Sequence, residues 1–396
     1  MKKEQKGRIA PILIFFLGLT LRLIPLFFGI ESTDIGFYRA QAMALVHGEN
    51  IYALSSGAFP YSPLSMFYPY FCLQISQSSS VPFHIVIKLA AILSDLGILL
   101  LLFFILSRFA DHKKALTAAL LYAVNPVSIL LASFHGNIMP LVTLFMLGSY
   151  YYFILDKEKY LVASAFLLGL AIGWRSFPAI LLPFFLKELR GTPARIKYTV
   201  FSFLPFVVTL IPFFFISPGL TLSRIFFYRG GGIHHGPYAA IYGLVVLFSP
   251  SSFVGQNGEK WKIFYDATKI IFFIAYLFSL KRSKRSDLLS NILLAFFLFY
   301  FFYASVASQY LIWALPFLLL LEHRKPFYYY AAIAGVALVF FYWVYFRDIL
   351  FGSLVAVPMK QALLMTLYIS AEALLSAFCL TVICRLWAGK ELGELA

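Results

Sequence analysis

Apolar segments of membrane-spanning length follow one another through this chain, and the gaps between them are alternately rich and poor in Lys and Arg. The pattern leaves few folds open. Hydrocarbon offers no partner for backbone N–H and C=O groups, so a run of about 20 apolar residues there closes its hydrogen bonds within a helix. Lys and Arg collect on the cytoplasmic side of such helices. With the amino-terminal cluster Lys2, Lys3, Lys6 and Arg8 on that side, six basic turns return to it: Arg108 to Lys114, Lys157 to Lys159, Lys187 to Lys197, Lys281 to Arg285, Arg324 with Lys325, and Arg385 with Lys390. Both termini are then cytoplasmic. The first large loop, with Glu31 and Asp34, falls outside.

Hydrophobic residues are 61% of the sequence and charged residues 12%, against roughly 25% charged in a soluble domain. The expectation is an all-α, polytopic bundle in the cell membrane, a single integral-membrane domain over residues 1–396. A net charge of +15 would suggest a nucleic-acid partner for a soluble chain. Here the basic residues lie in turns beside spans, where they set orientation and meet anionic membrane lipid, so no nucleic acid is expected. Cys72, Cys379 and Cys384 give no paired framework, and five-residue spacing in an apolar helix is poor for a metal clamp. Neither disulfide nor zinc is expected. The first apolar run, Ile9 to Ile30, lacks a small-residue cleavage pattern and reads as a retained span.

Apolar runs counted against the basic turns give about twelve spans. They are Ile9 to Phe28, Val81 to Leu106, Ala115 to Ser133, Ile138 to Leu155, Tyr160 to Trp174, Phe177 to Leu186, Lys197 to Ile216, Ile263 to Leu280, Leu288 to Ala304, Tyr310 to Leu321, Phe327 to Phe346 and Ala362 to Ile383. Phe177 to Leu186 and Tyr310 to Leu321 are too short to cross unaided and hint at a protein-lined cavity. Of the outer loops, 31–80 holds a helical stretch from Asp34 to His47, with Ile35, Tyr38, Ala42 and Leu45 at helical spacing, suited to the membrane interface. A Pro-rich turn, Phe59 to Pro63, and an apolar run, Leu64 to Ile75, follow it. The loop 217–262 carries Arg224, Arg229, three glycines, His234, His235 and the apolar piece Ala239 to Phe248. Arg347 to Lys360 is featureless.

Asp34 and Glu31 lie directly at the end of a span. A carboxylate beside low-dielectric protein is expected to hold a raised pKa and to act as a general base on an incoming hydroxyl. The alternative is a helix N-cap, because Thr33-Asp34 opens a helical pattern. Tyr38, four residues on, shares its face. Lys88 and Asp95 share one face of the second span; pairing with another span is expected of Asp95, and an anionic head group is within reach of Lys88. His135, Gly136 and Asn137 join two spans outside. Arg175 ends the fifth span outside, where a guanidinium either snorkels to lipid phosphate or binds the phosphate of a lipid-linked substrate. Arg229 with the glycines and His234-His235 is a second candidate anion site. Ser308-Gln309-Tyr310 with Trp313 opens the tenth span; an aromatic belt accounts for the rings but not for Gln309.

Several of these segments together resemble a known family. Thr33-Asp34-Ile35 with Tyr38, His47-Gly48 with Tyr52, and Tyr61-Ser62-Pro63-Leu64 are similar to its first outer loop, and Lys88 through Asp95 to the second span of its prokaryotic members. Asn125-Pro126, Gly136-Asn137 and Ser308-Gln309-Tyr310 with Trp313 resemble later segments in the same order. The family is the polyprenyl-phosphate-sugar-dependent glycosyltransferases of the GT-C fold, and within it the likeness is to the catalytic subunit of GPI mannosyltransferase I and to prokaryotic mannosyltransferase-like proteins. The resemblance implies inverting transfer of a sugar, mannose, from a polyprenyl-phosphate donor to the hydroxyl of an unidentified glycan or lipid acceptor, with no metal or other cofactor. It implies Asp34 as base, and Lys88, Arg175, Arg229, His234 and His235 on the departing phosphate. Glu31, Tyr38, Tyr61, His135, Asn137, Gln309 and Tyr310 would contact substrate. The chain departs from the family at Gly36, where members often carry a second acidic residue, and at Ile138, Met139 and Pro140, where many carry one. A transporter or flippase of lipid-linked sugar, and a non-catalytic membrane subunit, remain the alternatives.

Overall fold

The computed structural model of the chain describes residues 2–28, 32–53, 61–155, 158–226, 233–248, 259–284, 287–345 and 361–392, and among them the regular structure is helical. Two compact units divide it, Met1–Tyr228 and Arg229–Ala396. The first holds α1 (Lys2–Phe28), α2 (Thr33–Val46), α3 (Leu64–Ser79), α4 (Phe83–Phe109), α5 (His112–Ala123), α6 (Pro126–Ile129), α7 (Met139–Ile154), α8 (Glu158–Trp174), α9 (Leu182–Glu188), α10 (Thr192–Ile216) and α11 (Pro218–Phe226). The second holds α12 (Pro237–Phe248), α13 (Glu259–Arg282), α14 (Leu288–Phe302), α15 (Ala314–Leu319), α16 (Lys325–Tyr345) and α17 (Gln361–Trp387).

Among the described residues, six helices (α1, α4, α10, α13, α16 and α17) contain segments long and apolar enough to cross a membrane. A seventh span results if α5 and the helical stretch Pro126–His135, bent by 49° between them, count as one. The chain is a multi-pass helical membrane protein. About twelve spans were expected, and the difference lies in apolar runs that fold short or broken. Ile138 to Leu155 gives the 16-residue α7 and Leu288 to Ala304 the 15-residue α14, both under the length of a full crossing. Phe177 to Leu186 is a 3₁₀ turn, Phe177–Leu181, running into α9; Tyr310 to Leu321 is a 3₁₀ turn, Ser308–Ile312, followed by α15. Arg347 to Lys360 lies outside the described residues.

The break between α5 and α6 follows from Asn125-Pro126. Proline removes an N–H and pushes the residue before it out of helical backbone; Asn125 stands at φ −69°, ψ 121°, and its side chain caps the amides of Val127 and Ser128. Carbonyls at the end of α5 find a side-chain partner in another helix. Arg22 of α1 donates to Tyr122 O at 3.4 Å, Ala123 O at 2.9 Å, Ser128 Oγ at 2.7 Å and Gly18 O at 3.0 Å. Its Nε pairs with Asp95 of α4, whose other oxygen accepts from the Tyr122 hydroxyl. Both charged side chains are fully buried. Ions in hydrocarbon persist only when partnered in this way.

Beyond the break the chain widens into a π turn, Leu130–His135, which ends on Gly136. α2 is anchored against it. Ser32 caps α2 through Ile35 N and donates to His135 O at 2.9 Å. The expected helical face follows: Ile35, Tyr38 and Ala42 are buried against Leu73, Phe83, Ile87 and Ile138. In the second unit Phe297 of α14 packs its ring against Tyr330 of α16 and Phe378 of α17.

Candidate functional site

One carboxylate in the first unit is gripped from outside its own helix while part of it stays open. The Asp34 side chain is 31% exposed, and its Oδ2 receives His135 Nε2 at 2.8 Å and Asn137 Nδ2 at 2.6 Å. The amide orientation of Asn137 is fixed because its Oδ1 accepts from Met139 N at 3.0 Å. Asp34 is not the cap of α2. Ser32 has that place, and the carboxylate points instead to the turn 135–137.

The raised pKa expected of Asp34 is reversed. Burial does work to raise it, but the hydrogen bond and charge of His135, the amide of Asn137 and the Arg175 guanidinium together hold the carboxyl below its ordinary value of 3.8. Asp34 is therefore ionised across the neutral range. Tyr38 is also buried, and burial with the Asp34 charge beside it holds its phenol protonated. Its hydroxyl lies at hydrogen-bonding distance of the Ile138 backbone.

Arg175 is buried at the end of α8, its guanidinium stacked over the Tyr61 ring at 3.5 Å and donating to Trp174 O at 3.2 Å. Tyr61 is held in turn by the Tyr52 hydroxyl, which donates to its carbonyl at 2.9 Å. This approach of α3 to α8 depends on Gly173, where a Cβ would fall 2.7 Å from Leu64 Cδ2. Lys88 is fully buried in α4. Its stem passes under Gly136, whose φ of +72° is left-handed and where a Cβ would stand 2.7 Å from Lys88 Cγ. Backbone conformation and space both call for glycine there. The structure thus gathers Asp34, Tyr38, Tyr61, Lys88, His135, Asn137 and Arg175 in the first unit. Glu31 and Arg229 lie outside the described residues.

The remaining expected residues belong to the second unit. His235, expected to meet a phosphate, is fully buried, with Nδ1 at 2.7 Å from Glu372 Oε1 and Nε2 at 3.0 Å from Ser308 Oγ. Its ring nitrogens are taken up inside the protein. The other Glu372 oxygen accepts from Gly236 N at 2.8 Å, and the Tyr368 hydroxyl donates to His234 O at 2.6 Å. Two side chains one turn apart on α17 therefore tie down the chain at 234–236. The half-buried His234 ring lies 4.9 Å from that of Phe341. Gln309 is half-buried, and Tyr310 is buried against Trp313 at 4.7 Å and Phe299 at 5.3 Å between ring centroids.

Three contributors escape a reading of motifs. Ser32 holds the turn that carries His135, Arg22 bridges the break between α5 and α6, and Glu372 organises the second unit's polar cluster. Arg22 and Glu372 carried a signal, each an ionisable residue inside an apolar run, which must have a partner; Ser32 carried only its preference for the N-cap position.

No family model matches the chain. GPI mannosyltransferase 1 of Candida albicans is 25% identical over 252 residues, covering 58% of this chain and 61% of that protein. The protein of the same name from Debaryomyces hansenii is 24% identical over 229 residues, 52% of this chain and 53% of that one. The chain spans little more than half the length of the curated relatives it matches. Among solved structures, ArnT from Cupriavidus metallidurans bound to undecaprenyl phosphate is similar over 96% of this chain and 77% of that one, at 13% identity and a TM-score of 0.45. The sequence likeness is to the same mannosyltransferase group that the first outer loop and second span resemble.

Proposed function

We propose that this chain is an integral-membrane glycosyltransferase that moves a sugar, mannose, from a polyprenyl-phosphate donor to an acceptor hydroxyl outside the cytoplasm, with inversion. The 396 residues act as one catalytic membrane domain with both termini cytoplasmic. The observation that carries the reading is the ionised, partly open Asp34 carboxylate held by His135 and Asn137, with Arg175 close enough to act on its charge.

In this reading the acceptor oxygen attacks the anomeric carbon as its proton passes to Asp34, the bond from that carbon to the phosphate oxygen breaks, and the polyprenyl phosphate leaves with the electron pair. A base already ionised at neutral pH is ready for the first event. The departing phosphate gains charge, and a fixed cation nearby stabilises it at little reorganisation cost. Arg175 is suited to that role, because stacking on Tyr61 fixes the guanidinium. Lys88, whose stem passes beneath the turn that carries His135 and Asn137, is the second phosphate-binding residue of this reading. Arg229 and Glu31 enter on the sequence and the resemblance, since both lie outside the described residues. With both ring nitrogens of His235 engaged, a structural role in the 234–236 segment suits it better than phosphate binding; His234 remains assigned to the donor phosphate, and Gln309 and Tyr310 to substrate. The sequence likeness to GPI mannosyltransferase 1 proteins supports mannose.

The test uses the purified full chain in detergent or nanodiscs with polyprenyl-phosphate mannose and a panel of hydroxyl acceptors. Transfer by wild type and a loss of about 10²-fold or more in Asp34→Ala are expected, the range for removing a general base. Equal transfer by both, or movement of lipid-linked sugar across vesicles without transfer, would turn the reading toward a transporter.

A further inference from the structure

We propose that Arg22 is a positioning residue for the chemistry at Asp34: by fixing the break between α5 and α6 it sets where His135 and Asn137 grip the carboxylate. The proposal rests on the transferase reading above.

A guanidinium has five N–H donors in a rigid fork, and Arg22 has five acceptors. Nε serves Asp95, one terminal nitrogen serves Gly18 O and Ala123 O, and the other serves Tyr122 O and Ser128 Oγ. Two of these acceptors are the last carbonyls of α5 before the break, and a third, Ser128, lies in the first turn after it. Arg22 therefore spans the bend and fixes both sides at once. From Ser128 the chain continues through the π turn Leu130–His135, closed by Asn137 N on Leu131 O at 3.1 Å. No flexible linker intervenes between the clamped residue and the two that touch Asp34. A displacement at Ser128 is passed to His135 and Asn137, while the Ser32 bond to His135 O ties the same turn to the start of α2. Misplacement of a catalytic group by about 1 Å can cost 10²-fold in rate. Among the described residues, the charged and titratable groups that act on Asp34 are His135 of the π turn, Arg175 at the end of α8 and Tyr38, with Tyr61 beside Tyr38 and Lys88 of α4 under Gly136. Of these, only His135 is carried on the segment that Arg22 clamps.

The deciding variant is Arg22→Lys in the full chain in nanodiscs. Lysine keeps a positive charge for Asp95 but has three donors on one atom and cannot span the bend. Three readouts are taken: transfer kinetics, the pH dependence of kcat, and the Nε2–H proton signal of His135 in histidine-labelled protein, assigned with His135→Gln. In folded Arg22→Lys, kcat is expected to fall about 10-fold or more with the donor KM within about twofold. The acid limb of kcat moves to higher pH and the His135 signal shifts or broadens. Where Arg22→Lys does not fold, Ser128→Ala, which removes one bond on the far side of the break, takes its place with the same directions. A folded variant with wild-type kcat overturns the proposal. So does a fall in kcat with acid limb and His135 signal unmoved, since that is loss of structure alone. If wild type transfers no sugar, the transferase reading fails, and the His135 signal still decides whether Arg22 sets that residue.

Discussion

At the scale of single residues, the proposed base Asp34 is set by a balance between burial, which raises its pKa, and the His135, Asn137 and Arg175 side chains, which together lower it further than burial raises it. The direction makes a pH prediction. If Asp34 is the base, the acid limb of transfer is expected below the ordinary Asp value of 3.8 in the wild type. Removing a donor by Asn137→Ala moves that limb upward, read from kcat/KM between about pH 3 and 6. The same carboxyl contributes to stability above its unfolded pKa, and that contribution is lost as pH falls through the lower folded value. Arg175→Lys keeps the charge and loses the flat face on Tyr61. Cation–π stacking is worth about 0.5–2 kcal/mol, so the donor KM is expected to rise about 2- to 30-fold, measured with polyprenyl-phosphate mannose at saturating acceptor.

At the scale of elements, the site is assembled from helix ends. Ser32 ends one interval of chain by capping α2 and binds the end of the π turn through the same oxygen. Its loss in Ser32→Ala is expected to cost about 1–2 kcal/mol, the cap and one buried bond together, seen as a lower unfolding temperature in detergent. Gly136 ends the π turn in left-handed backbone pressed on Lys88. Gly136→Ala must therefore move either the turn or the lysine. A loss of about 1–3 kcal/mol is expected, with transfer falling further than stability alone explains; unfolding and activity measured on one preparation separate the two. α8 contributes by where it stops: Gly173 lets Leu64 close on its last turn, which brings Tyr61 over Arg175.

At the scale of the whole molecule, the sorted basic turns predict two chemically different faces. In a Cys384→Ser background, Glu49→Cys in the first outer loop is expected to react with an impermeant maleimide on intact cells, and Lys113→Cys in a basic turn only after permeabilisation; the reverse pattern overturns the orientation. The other two cysteines are buried. Much of this scale was legible in the residues. Apolar runs and Lys and Arg placement determined a multi-pass helical membrane protein, and helical spacing of Ile35, Tyr38 and Ala42 picked out the buried face of α2, because both follow from local transfer free energy and local periodicity. Six or seven helices among the described residues reach crossing length against the twelve apolar runs of the sequence, since run length alone does not tell that Asn125-Pro126 bends a helix or that α7 and α14 stay short. Asp34, His135, Asn137 and Arg175 were each visible as polar residues beside apolar runs, but their grouping was not, nor was the sign of the Asp34 shift. Those depend on neighbours about a hundred residues away in sequence and a few ångströms in space. Only tertiary packing decides such distances, and the electrostatics of a buried carboxyl is set by them.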